Sequence, residues 1–141
     1  MTKGFMGEYQ NNMDAKGRVI LPVAFRDLIG RRFVVTRGID DNLDLFPMDV
    51  WEERVRKLNE LRTSEKAARA IKRRILGNAI EIEIDNQERI TIPQNLREGC
   101  SLEKEIIFVG QGEYVEAWSK KLYDEMNDDI DFAELASGLD F

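Results

Sequence analysis

The sequence contains no histidine and a single cysteine, Cys100. Without histidine, no His-based metal site, His general base or Ser-His-Asp triad can be assembled from this chain. One cysteine excludes an intrachain disulfide and fits a reducing compartment. Phosphate-cradling signatures are missing too: there is neither a Gly-x-x-x-x-Gly-Lys loop nor a dinucleotide fingerprint. The 27 Asp and Glu leave carboxylate-only chemistry open, but no converging pair is marked out, and most read as solvated face charges. The expectation is therefore no enzyme, no cofactor, no metal and no small-molecule substrate. No apolar run approaches the roughly 20 residues that cross a bilayer. The start, Met1-Thr2-Lys3-Gly4-Phe5, lacks the apolar core and small-residue cleavage site of a secretory signal. A cytoplasmic protein with no membrane partner is expected.

What is present can fold. A chain of 141 residues with 43% hydrophobic content can bury one core, as a compact domain or two intimate halves. Its net charge of −6 hides an asymmetry. Residues 1–77 carry 16 Lys and Arg against 11 Asp and Glu, whereas residues 78–141 carry 5 against 16. Seven acids, Asp124, Glu125, Asp128, Asp129, Asp131, Glu134 and Asp140, lie beyond Lys121 with no base among them. A basic front and an acidic back point to a nucleic-acid face on one side and a solvating or pairing tail on the other.

The chain also repeats itself. A shift of 71 residues lays Asp14 to Asp27 on Asp85 to Glu98, with Asp14/Asp85, Arg18/Arg89, Pro22/Pro93 and Arg26/Arg97 identical. Val19/Ile90, Leu21/Ile92 and Phe25/Leu96 keep their apolar character. Each copy reads as a lead-in strand (Gly7–Met13; Ile80–Ile84), a charged turn, a short β-branched strand (Val19–Leu21; Ile90–Ile92), a proline opening a short helix, and a closing hairpin. The hairpins pair Phe33–Thr36 with Leu43–Phe46, and Ile106–Val109 with Tyr114–Ala117. Between the copies, Trp51, Val55 and Leu58 recur at helical spacing, and Thr63-Ser64 can cap a second helix that Gly77-Asn78 stops. Ser119 can cap a helix carrying Leu122, Tyr123 and Met126. Asp131 to Glu134 has capping-box spacing for one helical turn, although the charge and terminal position of that stretch favour mobility.

The run Phe5 to Pro22, and above all Asp14-Ala15-Lys16-Gly17-Arg18, closely resembles the opening of the bacterial MraZ family; the repeated Asp85-x-x-x-Arg89 fits as well. The resemblance covers roughly Lys3 to Tyr123. It implies an α+β, mainly β fold: two fused AbrB-like swapped-hairpin units forming a pseudo-dimeric β-barrel, with a helical insertion and a C-terminal helix. The units would be 5–47 and 78–123, with the insertion at 48–77 and an acidic tail at 124–141. It further implies a transcription regulator that binds double-stranded DNA at short direct repeats upstream of the division and cell-wall gene cluster, its own gene included. Such proteins associate with the nucleoid and assemble as closed homo-oligomeric rings, octamer-like in size. Asp14, Lys16, Gly17 and Arg18 stand where the family has its DNA-contacting motif. In the second copy Gln87 and Glu88 replace the lysine and glycine, leaving Asp85 and Arg89.

Two strands with their connecting turn make a ribbon that fits the major groove, and an Arg there can grip guanine or phosphate bidentately. The order of assignment for DNA contact is Arg18, then Lys16, then Arg89. Asp14 is assigned to holding the turn or the Arg head, because an anion beside phosphates is costly to desolvate. Gly17, Pro22 and Pro93 carry backbone geometry. Arg26 and Arg97 are expected to pair with neighbouring acids, and Lys72-Arg73-Arg74 to face solvent at the negative end of their helix. The competing function is a protein-binding AbrB-like module whose acidic tail neutralises a partner, as an antitoxin does.

Overall fold

A computed structural model describes residues 4–141. Among the described residues there are eight strands and six helices, with the strands and two of the helices in two similar runs. The first run comprises β1 (Glu8–Asn12), β2 (Arg18–Ile20), α1 (Val23–Ile29), β3 (Arg32–Arg37) and β4 (Leu43–Pro47). Two helices follow, α2 (Met48–Asn59) and α3 (Lys66–Gly77). The second run comprises β5 (Ile80–Glu83), β6 (Arg89–Thr91), α4 (Gln94–Gly99), β7 (Glu105–Gly110) and β8 (Val115–Ser119). The chain ends in α5 (Lys120–Asp128) and α6 (Phe132–Ser137).

The closing hairpins form as their alternating apolar residues require: Phe33 faces Pro47 and Val35 faces Leu45, while Phe108 faces Ala117. The lead-in strands behave otherwise. β1 leaves its own copy and pairs antiparallel with β7, Glu8 opposite Val109; β5 pairs with β3, Ile82 opposite Phe33. One sheet of order β1-β7-β8-β4-β3-β5 results, with a pseudo-twofold axis between β8 and β4. The short strands β2 and β6 pair only with each other, with Val19 opposite Ile90 on the same axis. Hydrogen bonds from Leu21 N–H to Glu88 O and from Ile92 N–H to Gly17 O extend that pairing symmetrically.

Two features differ from expectation. The ladders form an open six-stranded sheet and a separate two-stranded ribbon, with no closed barrel among the described residues. The ribbon is also not built from a turn and its own flanking strands, because β1 and β2 diverge beyond the turn into different sheets. A single core fills the space between sheet and ribbon: Phe25, Phe33, Phe108, Leu21, Leu45, Ile90, Ile92 and Leu96 are all buried in it. The matched apolar pairs of the repeat thus converge on one interior, at about 1.5–3 kcal/mol per fully buried large side chain.

The helices show where local signals sufficed. Ser119 Oγ accepts from Leu122 N–H at 3.4 Å, and Asp131 accepts from Glu134 N–H at 3.1 Å, so the tail carries a capped helix. Thr63 and Ser64 cap nothing: α3 starts one residue further on, with Glu65 at its N-cap and no side-chain cap. Pro22 and Pro93 occupy the N-cap position itself, one residue before the position expected. The α2 stripe is packing surface, with Trp51 against Phe46 at 5.6 Å and Leu58 buried.

Candidate nucleic-acid interface

The turns of the two copies are built alike, around their aspartates. Asp14 Oδ1 accepts from Lys16 N–H at 3.0 Å and Arg18 N–H at 2.9 Å, while Oδ2 takes Arg18 Nε at 2.7 Å. Asp85 repeats the pattern with Gln87 N–H at 2.8 Å, Arg89 N–H at 3.0 Å and Arg89 Nε at 3.0 Å. The hydrogen bond from the Arg18 backbone, and its counterpart from Arg89, hold both carboxyls below the usual range. Each aspartate therefore stays an anion and fixes both the turn and the root of its arginine. Only Nε is used; among the described residues, the terminal amines of Arg18 and Arg89 have no protein partner.

The ribbon brings these arginines to one surface. Val19 and Ile90 point into the core, so alternation turns Arg18, Ile20, Arg89 and Thr91 outward. Arg18 lies opposite Thr91 and Arg89 opposite Ile20, which makes the two arginines diagonal neighbours, about 7–8 Å apart at the backbone. Lys16 is exposed on the first turn, and Gln87 occupies the equivalent place on the second. Exposed Ile20 supplies an apolar centre. A two-stranded ribbon carrying two anchored guanidinium groups has the width and chemistry to enter a DNA groove.

Behind the turns the copies part company. Gly17 has φ +84°, and a Cβ there would lie 2.8 Å from both Arg97 Cζ and Ile92 O. Arg97 runs close beneath this turn, with its Nη1 3.5 Å from Ala15 O and its buried Nε without a partner. It pairs with no acid among the described residues, contrary to expectation. At the second turn Glu88 occupies the same left-handed region, at φ +62°. Arg31 grips its carboxylate at 2.9 and 3.1 Å and also donates to Asp85 O at 2.9 Å, and Arg26 stands 3.9 Å away. Glu88 thus offsets the cations behind the second turn, while Gly17 leaves Arg97 uncompensated behind the first.

Sequence reasoning overlooked Arg31. Its partner is 57 residues away, and the only available signal was an acid standing where the other copy has glycine. Gly17→Ala is expected to cost about 2 kcal/mol, since strained φ adds to a clash with backbone. A urea midpoint equal to the parent's would contradict that requirement. Of the basic run on α3, Arg74 is tied to Gly38 O at 2.8 Å and to Asp41 at 3.2 Å. Lys72 and Arg73 have no ion pair among the described residues.

Comparison with known proteins gives the same duplication. The family model described as "MraZ protein, putative antitoxin-like" matches twice, over residues 5–74 and 75–137. The chain is 46% identical over 137 residues to a protein of Thermoanaerobacter pseudethanolicus, covering 96% of each. Relatives from Thermoanaerobacter sp. (strain X514) and Caldanaerobacter subterraneus subsp. tengcongensis are 45% and 43% identical, with the same coverage. Each of the three is named "Transcriptional regulator MraZ". No described helix is long and apolar enough to cross a membrane. The chain belongs to the MraZ family.

Proposed function

We propose that this protein is a sequence-specific DNA-binding transcription regulator that reads short direct repeats through the β2–β6 ribbon. The observation that carries the reading is the pair of aspartate-anchored arginines, Arg18 and Arg89, on one exposed surface with Lys16 beside them. Anchoring at Nε leaves the terminal amines free for bidentate contact with guanine or phosphate, and holding the head in advance lowers the entropy lost on binding. Asp14, Asp85 and Gly17 shape the turns. The second turn contributes Arg89 alone, since Gln87 is neutral and Glu88 is an anion paired with Arg31.

One ribbon makes few contacts. A homo-oligomeric ring, octamer-like in size, would align equivalent ribbons on successive repeats and raise the effective concentration at each. Within the chain, the exchange of β1 and β5 fits two AbrB-like swapped-hairpin units, 5–47 and 78–123, fused as a pseudo-dimer. The operator would lie upstream of the division and cell-wall genes, the protein's own included, placing the protein on the nucleoid. The test is a gel shift on the gene's own upstream region, scanned for direct repeats and repeated across salt. Replacing Lys16 with alanine should shallow the salt dependence by about one phosphate's worth of counterion release. Repeat binding left intact by Lys16→Ala and Arg18→Ala together would refute the assignment.

A second reading, partner neutralisation, draws on the family's antitoxin-like description and the acidic tail. Capture of a small basic protein encoded alongside, with no affinity for repeats, would favour it.

A further inference from the structure

Two surfaces remain unused by the ribbon. The first is the outer side of α3. Lys66, Arg69 and Arg73 stand at helical i, i+3 and i+7, with Ala70 between them, and all four are exposed. Arg69 donates one amine to Thr63 O at 3.0 Å. None of these bases, nor neighbouring Arg62 and Lys72, forms an ion pair among the described residues, in a chain whose acids outnumber its bases 27 to 21. The opposite side of α3 buries Ala68 and Ile75 and is tied down by Arg74. The second surface is the tail. Phe132 and Leu135 lie one turn apart on α6, and Leu139 follows its cap, with exposures of 60%, 57% and 68%. Asp128, Asp129, Asp131 and Glu134 lie in the same stretch of chain, exposed and with no ion pair among the described residues. No residue of α6 is buried.

We propose that the α6 ridge of one copy docks on the basic outer face of α3 of a second copy, in a head-to-tail contact that links the chains. The inference rests on the self-association in the function proposed above and names its surfaces. Charge complementarity selects the occupant: four acids without ion pairs beside an apolar ridge meet a row of bases without ion pairs around a small residue, among the described residues. Ala70 leaves a shallow strip where Phe132 and Leu135 can lie against the aliphatic stems of Lys66, Arg69 and Arg73. DNA could neutralise the bases but would leave the ridge in water, so it answers only half of the pattern. A second copy answers both halves. The contact uses different patches on its two sides, so each copy keeps one of each kind free, and repetition produces a ring or filament.

The test is sedimentation of the full chain and of two charge-reversed forms, Arg69→Glu/Arg73→Glu and Asp128→Lys/Glu134→Lys. Each form alone should self-associate about tenfold more weakly or worse, because its contact sets like charges together. An equimolar mixture should recover assembly, since each form then offers what the other lacks. Leu135→Ser, at an exposed site that leaves the core untouched, should weaken assembly and leave the circular-dichroism spectrum of the folded chain unchanged. Unchanged assembly in both reversed forms, or no recovery on mixing, overturns the proposal. So does an Arg69→Glu/Arg73→Glu chain that assembles normally but loses DNA, which would assign α3 to nucleic acid instead. Arg18→Ala separates the two readings: it should assemble like the parent whatever becomes of its DNA binding.

Discussion

Arg18→Ala should lower affinity for a single direct repeat by about 10- to 100-fold and leave the fold intact. Removing one bidentate arginine costs on the order of 1–3 kcal/mol at the base it reads. In a ring that engages several repeats the loss multiplies, because every copy carries the same defect. Folding should survive, since the Arg18 side chain is about one-third exposed and, among the described residues, its guanidinium pairs with Asp14 alone. That aspartate keeps its backbone hydrogen bonds from Lys16 and residue 18 in the variant. The same change at Arg89 should cost less, as no second cation accompanies it on its turn. Gel shifts on one, two and three repeats measure both effects, and equal losses at Arg18 and Arg89 would show that the two motifs contribute alike.

The second large effect concerns the joint between the copies. Asp44 on β4 sits directly across from Glu116 on β8, so the pseudo-twofold seam sets two carboxylates side by side. Burial, reinforced by Glu116 and Asp40 and opposed by Asn42 and Arg54, pushes the Asp44 carboxyl up to about 6. Arg54 lies over the Phe46 and Tyr114 rings, 5.1 and 5.5 Å from their centroids, and bridges neither acid among the described residues. A folded-state value above the unfolded one favours the protonated fold, so this stability is fully present below about pH 4 and is lost as pH rises through 6. Asp44→Asn removes the charge and can still accept from Asn42 Nδ2, which now stands 2.8 Å from Oδ1. The variant should therefore be about 2 kcal/mol more stable at pH 7.5, with the gain fading towards pH 4. Urea unfolding across that range decides it, and a gain independent of pH would point to a different cause.

Much of this molecule was legible because its signals are local. The turn aspartates, the hairpin alternation and the cap at Ser119 each depend on residues within a few positions, and each formed as read, whereas the stretch from Asp131, expected to be mobile, forms a capped helix. Family membership was legible from one motif because Asp14 to Arg18 form a self-contained hydrogen-bonded unit. What escaped was decided across the core. The polar strand Glu8–Asn12 gives no indication that its partner is β7 rather than β2, since its own burial pattern is nearly all exposed. Arg97 was expected to meet an acid, but the space left by Gly17 draws it under the turn of the other copy. Thr63 and Ser64 had capping chemistry, yet the helix begins at Lys66, with Glu65 at its N-cap and no side-chain cap.

The exchange of lead-in strands bears on how the chain is made. Glu8 finds its partner only at Val109, so β1 leaves the ribosome long before β7 exists. At roughly 5–20 residues per second, it waits about 5–20 s as an unpaired strand. Its composition suits the wait: Glu-Tyr-Gln-Asn-Asn offers little apolar surface for a neighbouring nascent chain to zip onto. The stickier strands, β3 and β4, are hairpin neighbours that can close on each other as soon as they emerge. The order of synthesis and the distribution of polarity are thus matched, with the latest-pairing strand also the safest to leave open.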